Sequence, residues 1–416
     1  MDSTKRTDSV NSAMQKMEIG KLRPWQEEVL PTILDRKDVL IVQTTSGGKS
    51  LLYQIPAIME DNHRLTIVIS PLRALQENQV AALQQHGVRA VALNADLSPI
   101  KRKELLASLR ETALLYLAPE QLKSQDLLSA LQHCAVSRVV VDEAHVLPQD
   151  GLSFRKSYRE IGNFIHILSA RPEVIACTAT ATPKERKEII RSLEMESPEC
   201  FVYPIRRDNL RLQIKRVESR KGHKDELEKN IFRAVERELF RWNGTGSVLV
   251  YAPTVQRVKH LKRWLKGRGW NVAHYTGKMA LKKRRKAQAD FLSGKKPILI
   301  ATNAFGLGID KPNVRLIIHA GLPLTLNGYV QEIGRAGRDG KKARCILFYS
   351  RKDFSRNERI LKGCGSKKAV RRALKGLNAL RKMIDSSKCI WNILEKYYGE
   401  SPRDRCGHCS RCISKA

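Results

Sequence analysis

Val39 to Gln54 reads VLIVQTTSGGKSLLYQ, and its first four residues are an apolar run of the kind that fills a buried strand. A short polar loop follows and closes on Gly48-Lys49-Ser50, after which Leu51-Leu52-Tyr53-Gln54 opens a candidate helix. Strand, loop and helix in that order form the setting of a phosphate cradle, in which backbone N–H groups wrap a nucleotide's phosphates. Lysine then reaches the terminal phosphates, and the following hydroxyl reaches Mg²⁺. The full pattern begins with a glycine, and that position is Gln43 here. Thr45, Ser46, Gly47, Gly48, Lys49 and Ser50 are therefore candidate phosphate-binding residues, with Ser50 also a Mg²⁺ ligand.

The same rhythm extends on both sides. Between Leu22 and Pro204 the runs DVLIVQ, LTIVIS, ALLYLA, SRVVVDE and EVIACT alternate with longer amphipathic stretches. That alternation predicts a parallel sheet with covering helices, an α/β domain. It starts again after a charged stretch at 215–237 with SVLVYA, WNVAHYT, KPILIAT, VRLIIHA and ARCILFY, so a second α/β domain follows, joined near Ile205-Arg206-Arg207-Asp208. After Arg351 the strand signal stops and basic helices lead to a cysteine cluster. The expected organisation is a disordered tail over 1–16, α/β domains over 17–205 and 206–350, and a small helical segment over 351–416. A 416-residue chain has room for about three domains.

Composition narrows the partners. The formal net charge is +34 and the pI is near 10.0. Such an excess points to a polyanion, because Lys and Arg placed along phosphates displace condensed counterions. No apolar run reaches the roughly 18 uncharged residues of a membrane span, and the polar N-terminus has no signal-peptide core. An intracellular protein with no membrane partner is expected, cytoplasmic in a prokaryote or nuclear in a eukaryote. Nine cysteines are present, and Cys389, Cys406, Cys409 and Cys412 fall within the last 28 residues. In a reducing compartment that cluster reads as metal ligation, while Cys134, Cys177 and Cys345 sit in or beside apolar runs as small core residues.

Three further motifs carry chemistry. In SRVVVDEAH, Asp142 and Glu143 follow directly on an apolar run, so they fall at the carboxyl end of a strand, where open α/β sheets place their ligands. Asp142 there would hold Mg²⁺, and Glu143 would orient and deprotonate an attacking water. In QEIGRAGRDG, Gln331 to Gly340, Arg335 and Arg338 are three apart and would share a face if the segment were helical; such arginines can stabilise charge on a transferring phosphoryl group. The cysteine spacing is C-x16-C-x2-C-x2-C, and four thiolates make a closed structural Zn²⁺ site; His408, inside the knuckle, is a competing ligand to Cys389.

From about Leu22 to Cys412 the sequence resembles the RecQ family of superfamily 2 DNA helicases. The blocks that carry the resemblance are LRPWQ, SGGKSLLYQIPA, VISPLRAL, LLYLAPEQL, VVVDEAH, CTATAT, ATNAFGLGIDKPNVR, GYVQEIGRAGRDG and the terminal cysteine set. The resemblance implies two tandem RecA-like domains of the P-loop NTPase class, followed by a small helical zinc-binding subdomain. It also implies ATP, Mg²⁺ and structural Zn²⁺ as cofactors, single-stranded and tailed or forked duplex DNA as partners, and 3′ to 5′ stepping driven by ATP hydrolysis. Gln26 matches the adenine-binding glutamine and Arg23 its neighbour. Lys49 and Ser50 match the phosphate and Mg²⁺ contacts, and Asp142 and Glu143 the metal and water acids. His145 matches the residue that links the ATP site to DNA, and Thr178 and Thr180 match the coupling motif. Gly308 and Asp310 belong to the ATP- and DNA-facing motif of the second domain, with Gln331 in the motif that supplies the arginines. Arg335 and Arg338 match those arginines, Arg338 as the finger. Cys389 occupies the family position of the fourth zinc ligand.

The chain departs from that pattern in places. Asp150 stands where the family's DNA-sensing loop carries Trp, although Phe154 and Arg155 remain, and Ile19 lies near the position of an aromatic residue that stacks on adenine. Only four residues follow Cys412, which leaves no room for the winged-helix domain of most members; a minimal motor, a monomer with unknown protein partners, is expected, unless the chain is a piece of a longer protein. A DNA-stimulated ATPase that translocates without strand separation, and an inactive DNA-binding scaffold, are the competing readings; RNA is a weaker substrate option. In the phosphate loop the family pattern is nearer Pro-Thr-Gly-Gly-Gly-Lys-Ser, so the changes are Thr44 for Pro and Ser46 for Gly. A side chain at Ser46 has a modest steric cost only if the local φ is positive. Ser46→Gly is expected to leave ATP affinity unchanged or tighter in an equilibrium binding titration; a clear loss would show that the loop needs the serine.

Overall fold

Apolar runs of four to six residues can lie flat in a sheet only if both faces are covered, and parallel strands joined by crossover helices provide that cover. The computed structural model describes residues 3–44, 48–60, 64–71, 73–94, 96–147, 157–219, 224–306, 311–363 and 365–413. It divides into two compact units, Met1–Tyr203 and Pro204–Ala416.

The first unit holds β1 (Val39–Val42), β2 (Leu65–Ile69), β3 (Ala90–Leu93), β4 (Leu114–Leu117), β5 (Val136–Val141), β6 (Glu173–Thr178) and β7 (Glu199–Val202). They form one sheet in the order β3-β4-β2-β5-β6-β1-β7, and every pairing is parallel. β1, β2, β4 and β6 are buried along their whole length, as two-sided cover requires. β3 and β7, which the apolar runs do not announce, are the two edges; β7 alternates half-buried and exposed residues, the weaker signature of a strand with one open side.

Residues 3–16 are not a disordered tail: Ser3–Lys16 is a helix. Ala13 is 3% exposed, and Val10, Met14 and Met17 pack with it against the core under β1. Val10, Ala13, Met14 and Met17 follow the i, i+3, i+4, i+7 spacing of an apolar stripe, masked in the sequence by polar neighbours. Arg6 secures the helix with a 2.8 Å ion pair to Asp35 and a 2.8 Å bond to the Pro31 carbonyl.

The second unit holds β8 (Leu210–Arg216), β9 (Ser247–Tyr251), β10 (Val272–Tyr275), β11 (Ile298–Ala301), β12 (Val314–Ala320) and β13 (Ala343–Tyr349), again wholly parallel, in the order β10-β11-β9-β12-β13-β8. β8 overlaps the stretch read as charged: its leucines 210 and 212 are buried while Arg211 and Arg216 face out, an edge strand whose charge hides its period. One sheet face is covered by the helices Lys224–Phe240 and Val255–Lys266, through Ile231, Val235, Val258 and Leu261. The other face runs without a break into the helices Lys367–Asp385 and Ile390–Tyr397, whose Leu377, Leu380, Met383, Trp391 and Leu394 share one core with Leu210, Ile317 and Cys345. The described residues of 351–413 are thus mainly helical, as expected, but they complete the core of the second unit instead of standing as a separate body. Among the described residues no helix is long and apolar enough to cross a membrane.

The stripe on the N-terminal helix generates a stability prediction. Ala13→Arg should destabilise the first unit by about 1–3 kcal/mol, the usual range for overpacking a core position. Thermal or denaturant unfolding would read this as a lower midpoint; an unchanged midpoint would mean the helix is a passenger.

Candidate functional site

Parallel strands put all their carboxyl ends on one edge, and in the first unit that edge carries the predicted motifs. Val42 pairs with Thr178 across β1 and β6, and Ile69 pairs with Val141 across β2 and β5. The segments after β1, β2, β5 and β6 therefore leave the sheet side by side. Thr45, Ser46 and Gly47 lie outside the described residues, as do Asp150, Phe154, Arg155, Gly308 and Asp310.

Gly48 has φ +75°, and a Cβ there would stand 2.9 Å from Gln26 Nε2, so only glycine fits. Gln26 is 1% exposed; its Nε2 donates to the Gly48 carbonyl at 2.8 Å and its Oε1 accepts from the Arg23 N–H at 2.8 Å. The predicted adenine residue thus ties the start of the helix Pro24–Leu34 to the phosphate loop, while the Arg23 side chain is exposed. Lys49 Nζ folds back onto its own loop, donating to the Gln43 carbonyl at 2.8 Å and to the Thr44 carbonyl at 3.3 Å. Phosphate oxygens are stronger partners for an ammonium than these carbonyls. Ser50 stands at the N-cap of the helix Leu51–Met59 with no side-chain capping bond.

Beside this loop, Asp142 Oδ1 accepts the Glu143 N–H at 3.0 Å, and Oδ2 accepts the Ser70 hydroxyl at 3.4 Å. Burial and then the neighbouring Glu143 charge raise Asp142 to about 6, against the pull of Lys49. A divalent cation is the counter-charge that restores such a carboxylate to its ionised form, and Asp142 with Ser50 offers the hard oxygen donors Mg²⁺ takes. Glu143 is held at φ +53°, a left-handed conformation that a non-glycine residue keeps only under constraint. The constraint is visible. Tyr158, wholly buried, donates to the Asp142 carbonyl at 3.1 Å, and Glu143 Oε2 lies 3.1 Å from His145 Nδ1. The same ring nitrogen is 3.2 Å from Thr178 Oγ1, which also contacts the Thr180 carbonyl at 3.2 Å. Lys49, Ser50, Asp142, Glu143, His145, Thr178 and Thr180 are thereby assembled from three strand ends, those of β1, β5 and β6. Sequence reading left out Ser70 and Tyr158; Ser70 ends an apolar strand and could have been found on that ground, whereas nothing local singles out Tyr158.

The arginine motif of the second unit is not helical where the arginines lie. The helix Leu326–Ile333 carries half-buried Gln331 and ends at Gly334, so Arg335 and Arg338 sit in successive turns. The Arg335 guanidinium donates to the Gly306 carbonyl and lies against that glycine's backbone, where a Cβ would come within 2.5 Å. Tyr251 lies beside Arg335 and stacks on His319 with ring centroids 5.4 Å apart, and His319 Nε2 is 2.8 Å from Glu332 Oε2. This buried Tyr251–His319–Glu332 chain backs the arginine turn. Glu332 adjoins Gln331 in the quoted motif, but its partner His319 is visible only in three dimensions.

The sulfurs of Cys389, Cys406, Cys409 and Cys412 all lie within 4.8 Å of one another, with separations of 3.5 Å (409 to 412), 3.8 Å (406 to 412) and 4.0 Å (389 to 409). Ligands at the Zn–S length of about 2.3 Å in a tetrahedron stand roughly 3.8 Å apart, so the four thiols fit Zn²⁺. Backbone N–H groups of Cys406 and Cys409 point at the sulfurs of Cys389 (3.5 Å) and Cys406 (3.2 Å), the orientation that stabilises thiolates. His408 turns its Nδ1 to the Cys406 carbonyl at 2.5 Å and stays outside the cluster, which settles the fourth ligand as Cys389.

With this geometry in place, comparison with known proteins gives three family matches: DEAD/DEAH box helicase over residues 23–189, helicase conserved C-terminal domain over 230–340, and RecQ zinc-binding over 351–413. The ATP-dependent DNA helicase RecQ of Synechocystis is 37% identical over 332 residues, covering 78% of this chain and 67% of that protein. The RecQ of Bacillus subtilis is 33% identical over 94% of this chain and 64% of its own length, and the rat ATP-dependent DNA helicase Q5 is 34% identical over 94% of this chain but 42% of its own. The chain thus spans less than two thirds of several of the relatives it matches. Among solved structures, Mss116p bound to ssRNA and AMP-PNP superimposes with a TM-score of 0.69 at 19% identity, over 96% of this chain and 88% of that one. That likeness is one of fold.

A metal centre built this way makes a clear separation. Purified protein should carry one zinc per chain; Cys389→Ser should lose it and lower the unfolding midpoint, whereas His408→Ala should keep it, as read by metal analysis beside thermal unfolding. Zinc loss from His408→Ala with retention in Cys389→Ser would reverse the ligand assignment.

Proposed function

Since the chain belongs to the RecQ family, we propose that it is an ATP-dependent DNA helicase that couples hydrolysis to 3′ to 5′ movement on single-stranded DNA and to opening of a tailed or forked duplex. The observation that carries the reading is the half-buried Asp142–Glu143 pair at the end of β5, near the lysine of a phosphate loop at the end of β1. In this reading Lys49 and the amides of 45–50 hold the β- and γ-phosphates, and Arg23 and Gln26 meet the adenine. Ser50 and Asp142 hold Mg²⁺, which neutralises phosphate charge when bound. Glu143 orients the attacking water and accepts its proton, and Arg338, with Arg335 beside it in sequence, offsets charge on the transferring phosphoryl group. Gly308, Asp310 and Gln331 complete the nucleotide contacts.

Coupling is proposed to run from Glu143 through His145 to Thr178 and Thr180, because one ring nitrogen, His145 Nδ1, contacts both Glu143 and Thr178. Phe154 and Arg155 would then report the presence of DNA. Functionally, 17–205 and 206–350 make the motor, with 351–416 as its zinc-stabilised helical part, working as an intracellular monomer. Asp150, a carboxylate where the relatives' loop carries an aromatic ring, favours a second reading in which hydrolysis and translocation persist without strand separation.

The deciding experiment measures ATP hydrolysis with and without single-stranded DNA, beside unwinding of duplexes with a 3′ or a 5′ tail. DNA-stimulated hydrolysis and opening of the 3′-tailed duplex alone are expected; hydrolysis without opening leaves the translocase, and no hydrolysis removes both. Lys49→Ala and Glu143→Gln should each lower kcat by about a hundredfold or more, and Arg338→Ala by about a thousandfold, while DNA binding is retained.

A further inference from the structure

Beside the zinc cysteines, the start of the helix Leu326–Ile333 and the helices after β13 line a groove of about 580 Å³. Its size is that of an ordinary ligand pocket, typically 300–1,000 Å³ as a rough range. The floor is apolar: Leu326, Ala379, Ile393 and the Tyr397 ring line it. Four cations surround that floor: Lys382 from the helix Lys367–Asp385, Lys388 from the turn that follows, Lys396 from the helix Ile390–Tyr397, and Arg405 from the segment leading into the cysteine knuckle. No acidic residue lines the groove. All four cations are exposed; Arg405 also donates to the Arg411 carbonyl at 3.1 Å and bonds Cys412, so the three lysines carry the outward charge of the rim.

Asn392 adds a polar feature to the wall. Its Nδ2 donates to the Arg403 carbonyl at 2.8 Å, whereas its buried Oδ1 has no hydrogen-bond partner. A buried acceptor left unmade is costly, and a ligand N–H is the group that would satisfy it. The backbone of a peptide carries such a donor at nearly every residue.

We propose that this groove is a docking site for an acidic linear peptide that inserts an apolar side chain onto the Leu326–Ile393 floor, sets carboxylates against Lys382, Lys388, Lys396 and Arg405, and donates a backbone N–H to Asn392. Charge complementarity and the apolar floor together select this occupant. A phosphodiester strand satisfies the cations, but single-strand binding lines up several aromatic rings for base stacking and the groove offers one, Tyr397. The groove also touches Cys389, so an occupant packs directly against the zinc centre.

The test uses the full zinc-loaded chain and a fluorescein-labelled peptide of alternating Asp and Leu, read by anisotropy without ATP. Binding at least about tenfold tighter than that of an Asp/Ser peptide of equal length and charge is expected. The charge-reversal pair Lys388→Glu with Lys396→Glu should weaken it by about tenfold while leaving oligo(dT) affinity nearly unchanged, and Ile393→Asp should abolish it. The lysines are exposed and keep the test open should Ile393→Asp fail to retain zinc. Equal binding of the Asp/Ser peptide, no binding of the Asp/Leu peptide, or peptide binding untouched by the lysine pair would each overturn the proposal. Oligo(dT) affinity falling in step with the peptide would overturn it in favour of a nucleic-acid groove. The readout needs neither hydrolysis nor unwinding, so its failure is separable from failure of the motor reading.

Discussion

The parallel registration of β1 against β6, with Val42 opposite Thr178, is the constraint on which the chemistry of the first unit rests. Because β5 lies on the other side of β6, the same arrangement brings the carboxylates after Val141 close to the loop after Val42. Each strand is buried on both faces, so a slip of one residue would drive side chains such as Ile41 and Val140 out of their layers. The register is thus fixed by packing, and the placement of Lys49, Asp142 and Thr178 follows from it.

That geometry has an electrostatic consequence. Asp142 and Glu143 are like charges held side by side at a strand end, and burial followed by the neighbouring Glu143 charge raises Asp142 to about 6. Lys49 meanwhile rests on its own loop's carbonyls. Both groups are held in place beforehand, and preorganised charge of this kind is what a Mg²⁺–nucleotide gains most from. The left-handed Glu143, fixed by Tyr158 on one side and His145 on the other, shows that the fold spends stability to keep this acid in position.

In the second unit the corresponding constraint is a shared core. Trp391 and Leu394 pack with Leu210 and Ile317, so the C-terminal helices cover a sheet face that would otherwise meet water. Zinc at the four cysteines holds the last of these elements together, and its loss should be felt in the sheet as well as in the knuckle. The basic groove formed by the same helices is a by-product of that arrangement, since the turn at Ser386–Lys388 and the helix Ile390–Tyr397 must pass the cysteines to reach them.

Much of this was legible in the sequence. Continuous apolar runs marked ten strands, and Gly48-Lys49-Ser50, Asp142-Glu143 and the cysteine spacing named the chemistry, because those signals are local: a backbone approach, a strand end, a knuckle. Edge strands β3, β7 and β8 were missed, since a strand with one open side needs few apolar residues, and the helix at Ser3–Lys16 was hidden because its stripe is four residues wide in a polar stretch. What tertiary structure alone decided are the partnerships between distant segments: Tyr158 on the Asp142 carbonyl and His319 on Glu332 behind Arg335. Residue type and spacing set which chemistry is available; only the packing of buried surfaces sets which groups meet, because that depends on contacts between residues far apart in the chain.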